Sequence, residues 1–416
     1  MSVCIFEDQA VSNLYPLTYL QSPFDLRCGM FTIRERIAQY FPTEKIYLLT
    51  RKQLEPVMQE RAPDCFVNVP PEEPTLFING RLLLDPTFSR SIHPYLHQEM
   101  LFHCGEEIVA ISTSNETVRE VWQALRTQEA FDVVNKYDTH SVCGKMIQHP
   151  WDLIAFNQEM LTQDAQRFSN RLDAERMHRF LHVVFLKPKN ISLGKNCRLH
   201  PGVVLNAEAG PIVIGDGVTI MSHAVITGPA FIGAGSVIKI GAKIYENVSI
   251  GPVCKVGGEV VESILHSYAN KPHDGFLGHS YLASWTNLGA DTNTSNLKNT
   301  YDDVRMTLEG KEFTTGMKFL GLVIADHSKC GINTMFNTGT CVGAHCNVFG
   351  AGYPPKFLPS FSWGGAEGLR EYHLRKSIPV MRAVMARRNV FPTTAEEELT
   401  KIIFEETRHL RKDFVH

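Results

Sequence analysis

From Ile214 an aliphatic residue recurs every six positions: Ile214, Ile220, Ile226, Ile232, Ile238, Ile244, Ile250 and Val256. Four residues after each of the first seven stands a small or β-branched residue: Val218, Ala224, Ala230, Ser236, Ala242, Val248 and Cys254. An amphipathic helix repeats every 3.6 residues and a two-sided strand every two, so neither fits. Hexads grouped in threes describe a coil with three flat sides, in which residues 18 apart stack. Gly215, Gly233 and Gly251 keep that spacing, and they are expected at corners needing a φ that few other residues adopt. The pattern predicts a left-handed parallel β-helix.

The pattern extends both ways. Leu193, Leu199 and Leu205 precede it, and a three-residue excess around 208–211 breaks the register. After an irregular stretch come Phe276, Leu282 and Leu288, then an insertion at 296–319, then Ile324, Cys330, Phe336, Val342 and Val348. The expected prism has about six coils and, with strands ~4.8 Å apart, a length of roughly 30 Å.

Before the repeat, apolar runs such as those from Lys45, Pro74 and Ile108 alternate with helical stretches at 32–40 and Val118–Thr127. Alternating strands and helices predict an α/β domain on a mainly parallel, Rossmann-like sheet. The polar stretch 160–180 is expected to bridge helically into the β-helix. After the repeat, a basic helical stretch at 369–388 and a second helix are expected to pack on the prism or a neighbouring subunit. Thr394 and Glu397 have capping-box spacing at the start of that second helix. The expected divisions are therefore an α/β domain over 1–160, a helical linker over 161–188, the β-helix over 189–352 and a helical segment over 353–416.

Charge and cysteine content narrow the setting. Lys and Arg number 41 against 44 Asp and Glu, a net charge of −3, which leaves no electrostatic reason for a nucleic-acid or membrane partner. No run of 18 apolar residues is present to span a bilayer. The start, MSVCIFEDQA, has acids where a signal peptide needs basic and then apolar residues. Ten cysteines without a C-x-x-C pair read as reduced, and the expected compartment is the cytoplasm.

A β-helix core is too tight for a ligand, so chemistry is sought outside the hexad positions. The densest polar cluster runs from Lys271 through His273 and His279 to Tyr281, with Asn287 beyond. Histidine is the side chain best suited to act as a base near neutral pH. His273 and His279 are six apart, hence on adjacent faces of a regular prism, which argues against a shared zinc ion; no metal ligand is expected there.

The segment from His273 to Thr292 resembles the acetyltransferase half of GlmU-type enzymes, whose pattern H-x-x-[YF]-L-G-x-x-x-[IL]-G-x-x-x-N-[IL]-G-A-G-T lays on without a gap. These enzymes couple acetyl transfer onto glucosamine 1-phosphate with uridylyl transfer. The resemblance implies His273 as the base that deprotonates the acceptor amine; separately, Glu259 or Glu262 is expected to orient its imidazole. Phe276 takes the place of a substrate-contacting tyrosine, Asn287 matches an asparagine of the sugar site, Asn296 matches the substrate-binding asparagine of the family's T-C-N-Y segment, and Ala290 lies where the backbone meets acetyl-CoA. Lys239 replaces a phosphate-binding arginine, and Lys298 offers a second phosphate contact. Asp291 stands where the family has glycine.

The amino-terminal half is similar to sugar-phosphate nucleotidyltransferases. Leu14-Tyr-Pro-Leu-Thr18 followed by Leu26-Arg27, and His149-Pro-Trp-Asp-Leu-Ile-Ala-Phe-Asn157, carry the likeness. It implies substrate contacts from Thr18 and Asn79, Arg27 in place of a catalytic lysine, and a nucleoside triphosphate with Mg²⁺. The glycine-rich phosphate loop is replaced by Ile5-Phe-Glu-Asp-Gln-Ala-Val-Ser. Arg81 follows Asn79-Gly80 where an aspartate would bind Mg²⁺, and it could instead hold a phosphate. The expectation is a nucleotidyltransferase coupled to acetyl-CoA-dependent N-acylation of an amino sugar phosphate. Two alternatives stand beside it: an acyltransferase with a non-catalytic first domain, and a nucleotidyltransferase whose β-helix only oligomerises. Flat prism sides without a closed pocket imply a homotrimer with sites between subunits, binding sugar phosphates and nucleotides.

Overall fold

A computed structural model describes residues 1–127, 136–168, 172 and 174–412. Parallel strands Ser2–Phe6, Lys45–Leu49, Phe66–Val67 and Thr75–Asn79 form half of a seven-stranded sheet. The other half holds Glu107–Ser112, antiparallel to both its neighbours, with Met100–Cys104 and Asp138–Ser141 beyond it. Ser2–Phe6 and Thr75–Asn79 end together, Phe6 beside Asn79. Their carboxyl ends open onto the crevice where open α/β sheets place ligands. The expected bridge begins as the helix Pro150–Asp164; residues 169–171 and 173 of the expected linker lie outside those described.

Three parallel sheets then coil into a prism, the longest with nine strands from Ile191–Leu193 to Phe357–Leu358. Every aliphatic position of the regular repeat points inward and is buried, from Ile214 to Val256. The small positions Ala224, Ala230, Ser236 and Ala242 are fully buried beside them. The coil is longer than the expected six turns: nine rungs span about 38 Å at ~4.8 Å per step. The count fell short because coil length varies while pairing persists. Ile250 pairs with Leu265 and Leu265 with Leu282, steps of 15 and 17 residues. Leu282 then pairs with Ile324 across the insertion, a step of 42. The shorter coils also shift the phase, so Leu277 rather than Phe276 points inward.

The glycines at 215, 233 and 251 serve a different purpose from the one expected. None of them has positive φ. A Cβ on Gly233 would lie 2.5 Å from the Gly251 carbonyl carbon, and one on Gly215 would lie 2.7 Å from the Ala234 nitrogen. They let one coil rest on the next. The left-handed corner comes two residues later, at Gly217 and Gly235 with φ of 68° and 69°. Higher up, Tyr268, Trp285, His327, His345 and Phe361 occupy the same conformation. Their rings form a stacked column with centroid spacings of 4.1, 6.3, 4.8 and 5.1 Å, and this packing offsets the cost of positive φ in bulky residues.

The insertion forms an antiparallel hairpin, Arg305–Leu308 with Lys311–Thr314. It leaves the prism and packs into the first domain: Val304, Met306 and Leu308 join one core with Leu14, Leu17 and Tyr19. The Tyr19 hydroxyl donates to Glu309 at 2.5 Å, and Phe313 lies against His149 and Trp151. A second clamp is Asn157. Its Oδ1 accepts from the Gly29 N–H and the Ser249 hydroxyl, both at 2.8 Å, and its Nδ2 donates to the Asn247 carbonyl at 2.7 Å. Helix Leu374–Ala386 lies against the prism, with Ser377 Oγ 2.8 Å from His345 Nδ1, and Thr394–Glu406 packs on the first domain, where Glu396 pairs with Arg61 at 2.8 Å. The second is capped by Thr393 and Glu396, one residue earlier than expected. That register leaves Glu397 to pair with Arg382 at 2.5 Å. Among the described residues no helix is long and apolar enough to cross a membrane.

Two measurements test this packing. Met306 is fully buried between the domains, so Met306→Ala is expected to cost about 2–4 kcal/mol of unfolding free energy in a denaturant titration. Burial pushes His266 down to about 4 and His345 down to about 3, aided by nearby Arg27 and Lys329 respectively. Both stay neutral in the folded protein while the unfolded chain takes up protons near pH 6.5. Stability is therefore complete above about pH 6.5 and falls as pH drops toward 4, by up to about 1.4 kcal/mol per pH unit for each histidine. Calorimetry between pH 7 and 5 should show this fall, with a shallower slope in His345→Gln.

Candidate functional site

The fold gathers part of the motif and separates the rest. His273 follows the strand Asn270–Lys271, at the corner where the shortened coil turns onto the next face. Beneath it Lys271 points into the prism, where Nζ donates to the His273 carbonyl at 2.7 Å and burial lowers its amine to about 8. This buried strut holds the corner out, and the His273 side chain is exposed. Asn270 bridges to Asn287 and Asn287 to Lys329, which carries the face upward through the irregular coils.

Against this face lies the carboxyl end of the helix Leu374–Ala386. Together they enclose a cleft of about 290 Å³ lined by Lys255, Asn270, Pro272, His273, Asn287, Val384, Arg387 and Arg388. Arg388 Nη2 donates to Asn270 Oδ1 at 2.8 Å. Three cations thus face one cleft whose lining includes no carboxylate. Burial, then Arg388, Arg387 and Lys239, lowers the Lys255 amine from its ordinary value. Burial and Arg387 do the same to Arg388. Like charges held together in this way are relieved by an anion. Lys255, Arg387 and Arg388 were not among the expected site residues. The Arg387-Arg388 pair in the basic stretch was their only trace in the sequence, and nothing there showed which way the helix would fold back. A wall from the same chain also changes the expectation that no pocket would form within one chain.

The other motif residues lie elsewhere. Lys239 sits beside Gly257 on the same face as the cleft, outside its lining. Phe276 and Asn296 converge over Gly278 around the corner from His273. Asn296 Nδ2 also meets His279 Nδ1 at 3.0 Å, and the His279 ring stacks on Phe319. Burial lowers His279 to about 4, so it is neutral at pH 7 and pins both ends of the insertion. Ala290 accepts from the Asn333 N–H through its carbonyl. Lys298 Nζ donates to the Asp303 carbonyl within the insertion at 2.5 Å. Glu262 accepts from Asn247 at 2.6 Å, and Glu259 pairs with Phe276 on the adjacent sheet; neither is bonded to His273. Asp291 has φ of 56°, so aspartate keeps the left-handed turn that glycine would make.

The first domain has its own pocket, about 260 Å³, lined by residues that include Glu7, Asp8, Asn79, Arg81, Glu106 and Glu107. Where a glycine-rich loop would run, Gln9–Leu14 forms a short 3₁₀ helix. Arg81 is not available to a phosphate. Nε and Nη2 donate to Asp8 at 2.9 and 2.6 Å, and Nη2 also donates to Glu107. Nη1 donates to the Ile147 carbonyl and to Gln148 Oε1, both at 3.0 Å. All five guanidinium N–H groups are used. Arg27 is likewise removed from the expected catalytic position. It is buried between the domains, with Nη1 donating to the Met30 carbonyl, Nη2 near Glu35 and its backbone N–H donating to the Tyr281 hydroxyl. Thr18 is fully buried and donates to the Val11 carbonyl. Asn79 does line the pocket, donating to Asp8 and to the Ile108 carbonyl.

Comparison with known proteins finds a family match in the first part of the chain and relatives that match shorter stretches. Residues 3–172 match the family model described as sugar nucleotidyl transferase. A bifunctional sugar-1-phosphate nucleotidylyltransferase/acetyltransferase of Sulfurisphaera tokodaii is 32% identical over 97 residues, covering 23% of this chain and 24% of that one. The bifunctional protein GlmU of Synechococcus elongatus is 28% identical over 193 residues, 46% of this chain and 37% of that one. GlmU of Methanococcus vannielii is 33% identical over 122 residues, 29% of this chain and 28% of that one. The matched regions thus span well under half of these relatives' length. A solved Arabidopsis UDP-N-acetylglucosamine acyltransferase covers 56% of this chain and 88% of its own at 16% identity, with a TM-score of 0.21; the architecture rests on the strand pairing described above. The chain is thus similar over residues 3–172 to the sugar nucleotidyl transferase model, and over part of its length to GlmU-type bifunctional proteins.

Proposed function

We propose that the His273 cleft transfers an acyl group from acetyl-CoA to the amine of an amino sugar phosphate. One observation carries this: the motif residues His273 and Asn287 share a cleft with Lys255, Arg387 and Arg388 and with no carboxylate. Both co-substrates are phosphate esters, so either brings the anion that such a wall favours. The amine nitrogen attacks the thioester carbonyl carbon, the carbon–sulfur bond breaks and the thiolate leaves. His273 takes the amine proton and returns it to the thiolate. Asn287 supplies an amide N–H for the developing oxyanion.

In this proposal the chain works as a homotrimer in the cytoplasm. Phe276 and Asn296 face away from their own cleft, and a neighbouring copy brings them to the next one as contacts for the sugar. The first domain is the non-catalytic partner in this arrangement, a role supported by the full engagement of Arg81.

Thiol release from acetyl-CoA, measured against a panel of amino sugar phosphates, tests the proposal. His273→Ala is expected to lower the rate at least ~10²-fold, as loss of a general base does. An undiminished rate in that variant would remove His273 from the mechanism. Arg388→Gln is expected to raise KM for the phosphorylated partner about tenfold with a smaller change in kcat, the pattern of a lost ground-state contact. It should also raise the Lys255 pKa, read by NMR, because one of the like charges depressing it is gone.

A further inference from the structure

The amino-terminal pocket presents four carboxylates, Glu7, Asp8, Glu106 and Glu107, at the carboxyl ends of the central strands. An oxygen-rich ring of this kind suits Mg²⁺, which takes six oxygens at about 2.0–2.1 Å, and the nucleotidyltransferase likeness implies Mg²⁺ with a nucleoside triphosphate. The residues present do not fit that group. Both oxygens of Asp8 are taken by Arg81, and Oδ2 also accepts from Asn79. Glu107 is paired with Arg81 as well. Glu7 is held from the other side: Oε1 accepts from the Ser22 hydroxyl at 2.5 Å, and Oε2 accepts from the Arg51 backbone N–H at 2.7 Å and from its Nε at 3.2 Å. Three of the four carboxylates therefore already have cationic partners.

Arg81 is also not a mobile side chain that a metal could push aside. It is 1% exposed, and all five of its N–H donors are satisfied. Turning it out would strand two carboxylates, the Ile147 carbonyl and Gln148 at once. A buried charge left without its partners is costly. Nor can the pocket receive a bare triphosphate. The backbone amides that a glycine-rich loop would offer are replaced by the Gln9–Leu14 turn, with the side chains of Glu7 and Asp8 before it.

We infer that Arg81 is a resident cation that does the charge-neutralising work of a divalent metal in this pocket, so that the first domain binds no metal–nucleotide complex there. Asp8 and Glu107 are the two groups whose charge it balances. The inference stands apart from the acyl-transfer proposal, because thiol release at the His273 cleft does not report on this pocket.

Mn²⁺ serves as the probe, alone and with UTP. For the wild-type protein, equilibrium dialysis is expected to show no saturable Mn²⁺ or Mn²⁺–UTP binding up to millimolar concentration. Arg81→Met keeps the packed stem and removes the charge, which frees Asp8 and Glu107. Its melting temperature is expected to lie below that of the wild type and to rise by at least ~3 °C with millimolar Mn²⁺, while the wild type does not respond. Wild-type binding of about one Mn²⁺–UTP per chain, abolished by Asp8→Asn, would overturn the inference. If Arg81→Met does not fold, the wild-type dialysis decides by itself.

Discussion

A coil of a closed prism has to come back above its own start, and the rest of this structure depends on that closure. While each turn holds 18 residues, inward aliphatics meet inward aliphatics, and a glycine every 18 lets backbones touch. Strand pairing along the stack fixes the rise, so a change in coil length cannot alter the spacing of the rungs. It is absorbed at the corners instead. One to three residues fewer tighten a corner, and extra residues are extruded as a loop. The prism is thereby a ruler on which the departures are positioned as accurately as the regular turns.

The chemistry sits on those departures. The short coils above Ile250 bring His273 to a corner, with Lys271 buried behind it as a strut. The long step from Leu282 to Ile324 extrudes the hairpin that enters the first domain's core. Hairpin, Asn157 and the Arg27 N–H donated to the Tyr281 hydroxyl at 3.1 Å join the two halves into one unit. Midway along the prism the returning helix closes the His273 cleft with Arg387 and Arg388. One constraint thus generates the candidate base, the domain junction and the cationic wall.

The two pockets solve charge in opposite ways. Around His273, burial and the crowding of like charges with no carboxylate in the lining lower the pKa values of Lys255 and Arg388 and leave room for an anion from outside. Around Arg81, opposite charges are matched within the chain, so nothing from outside is needed to balance them. On the inference drawn above, this internal matching stands in for the divalent metal of a metal–nucleotide complex. The insertion hairpin finds its apolar partners in the first domain.

The sequence by itself determined the β-helix, its inward positions and the motif around His273. A six-residue period survives in any window, because each hexad meets the same neighbours one coil away. The alternating strands and helices of the first half, and the missing glycine loop, were equally legible because they are local. Coil number was not, since pairing rather than spacing defines a rung once coils shorten. Nor was the use of Gly215, Gly233 and Gly251, where the next coil's backbone and not φ imposes glycine. Only the tertiary structure showed that Arg81 is saturated and Arg27 buried between domains, and that Arg388 reaches Asn270 across 118 positions. Contacts of that kind depend on where distant segments meet, and one-dimensional periodicity carries no record of it.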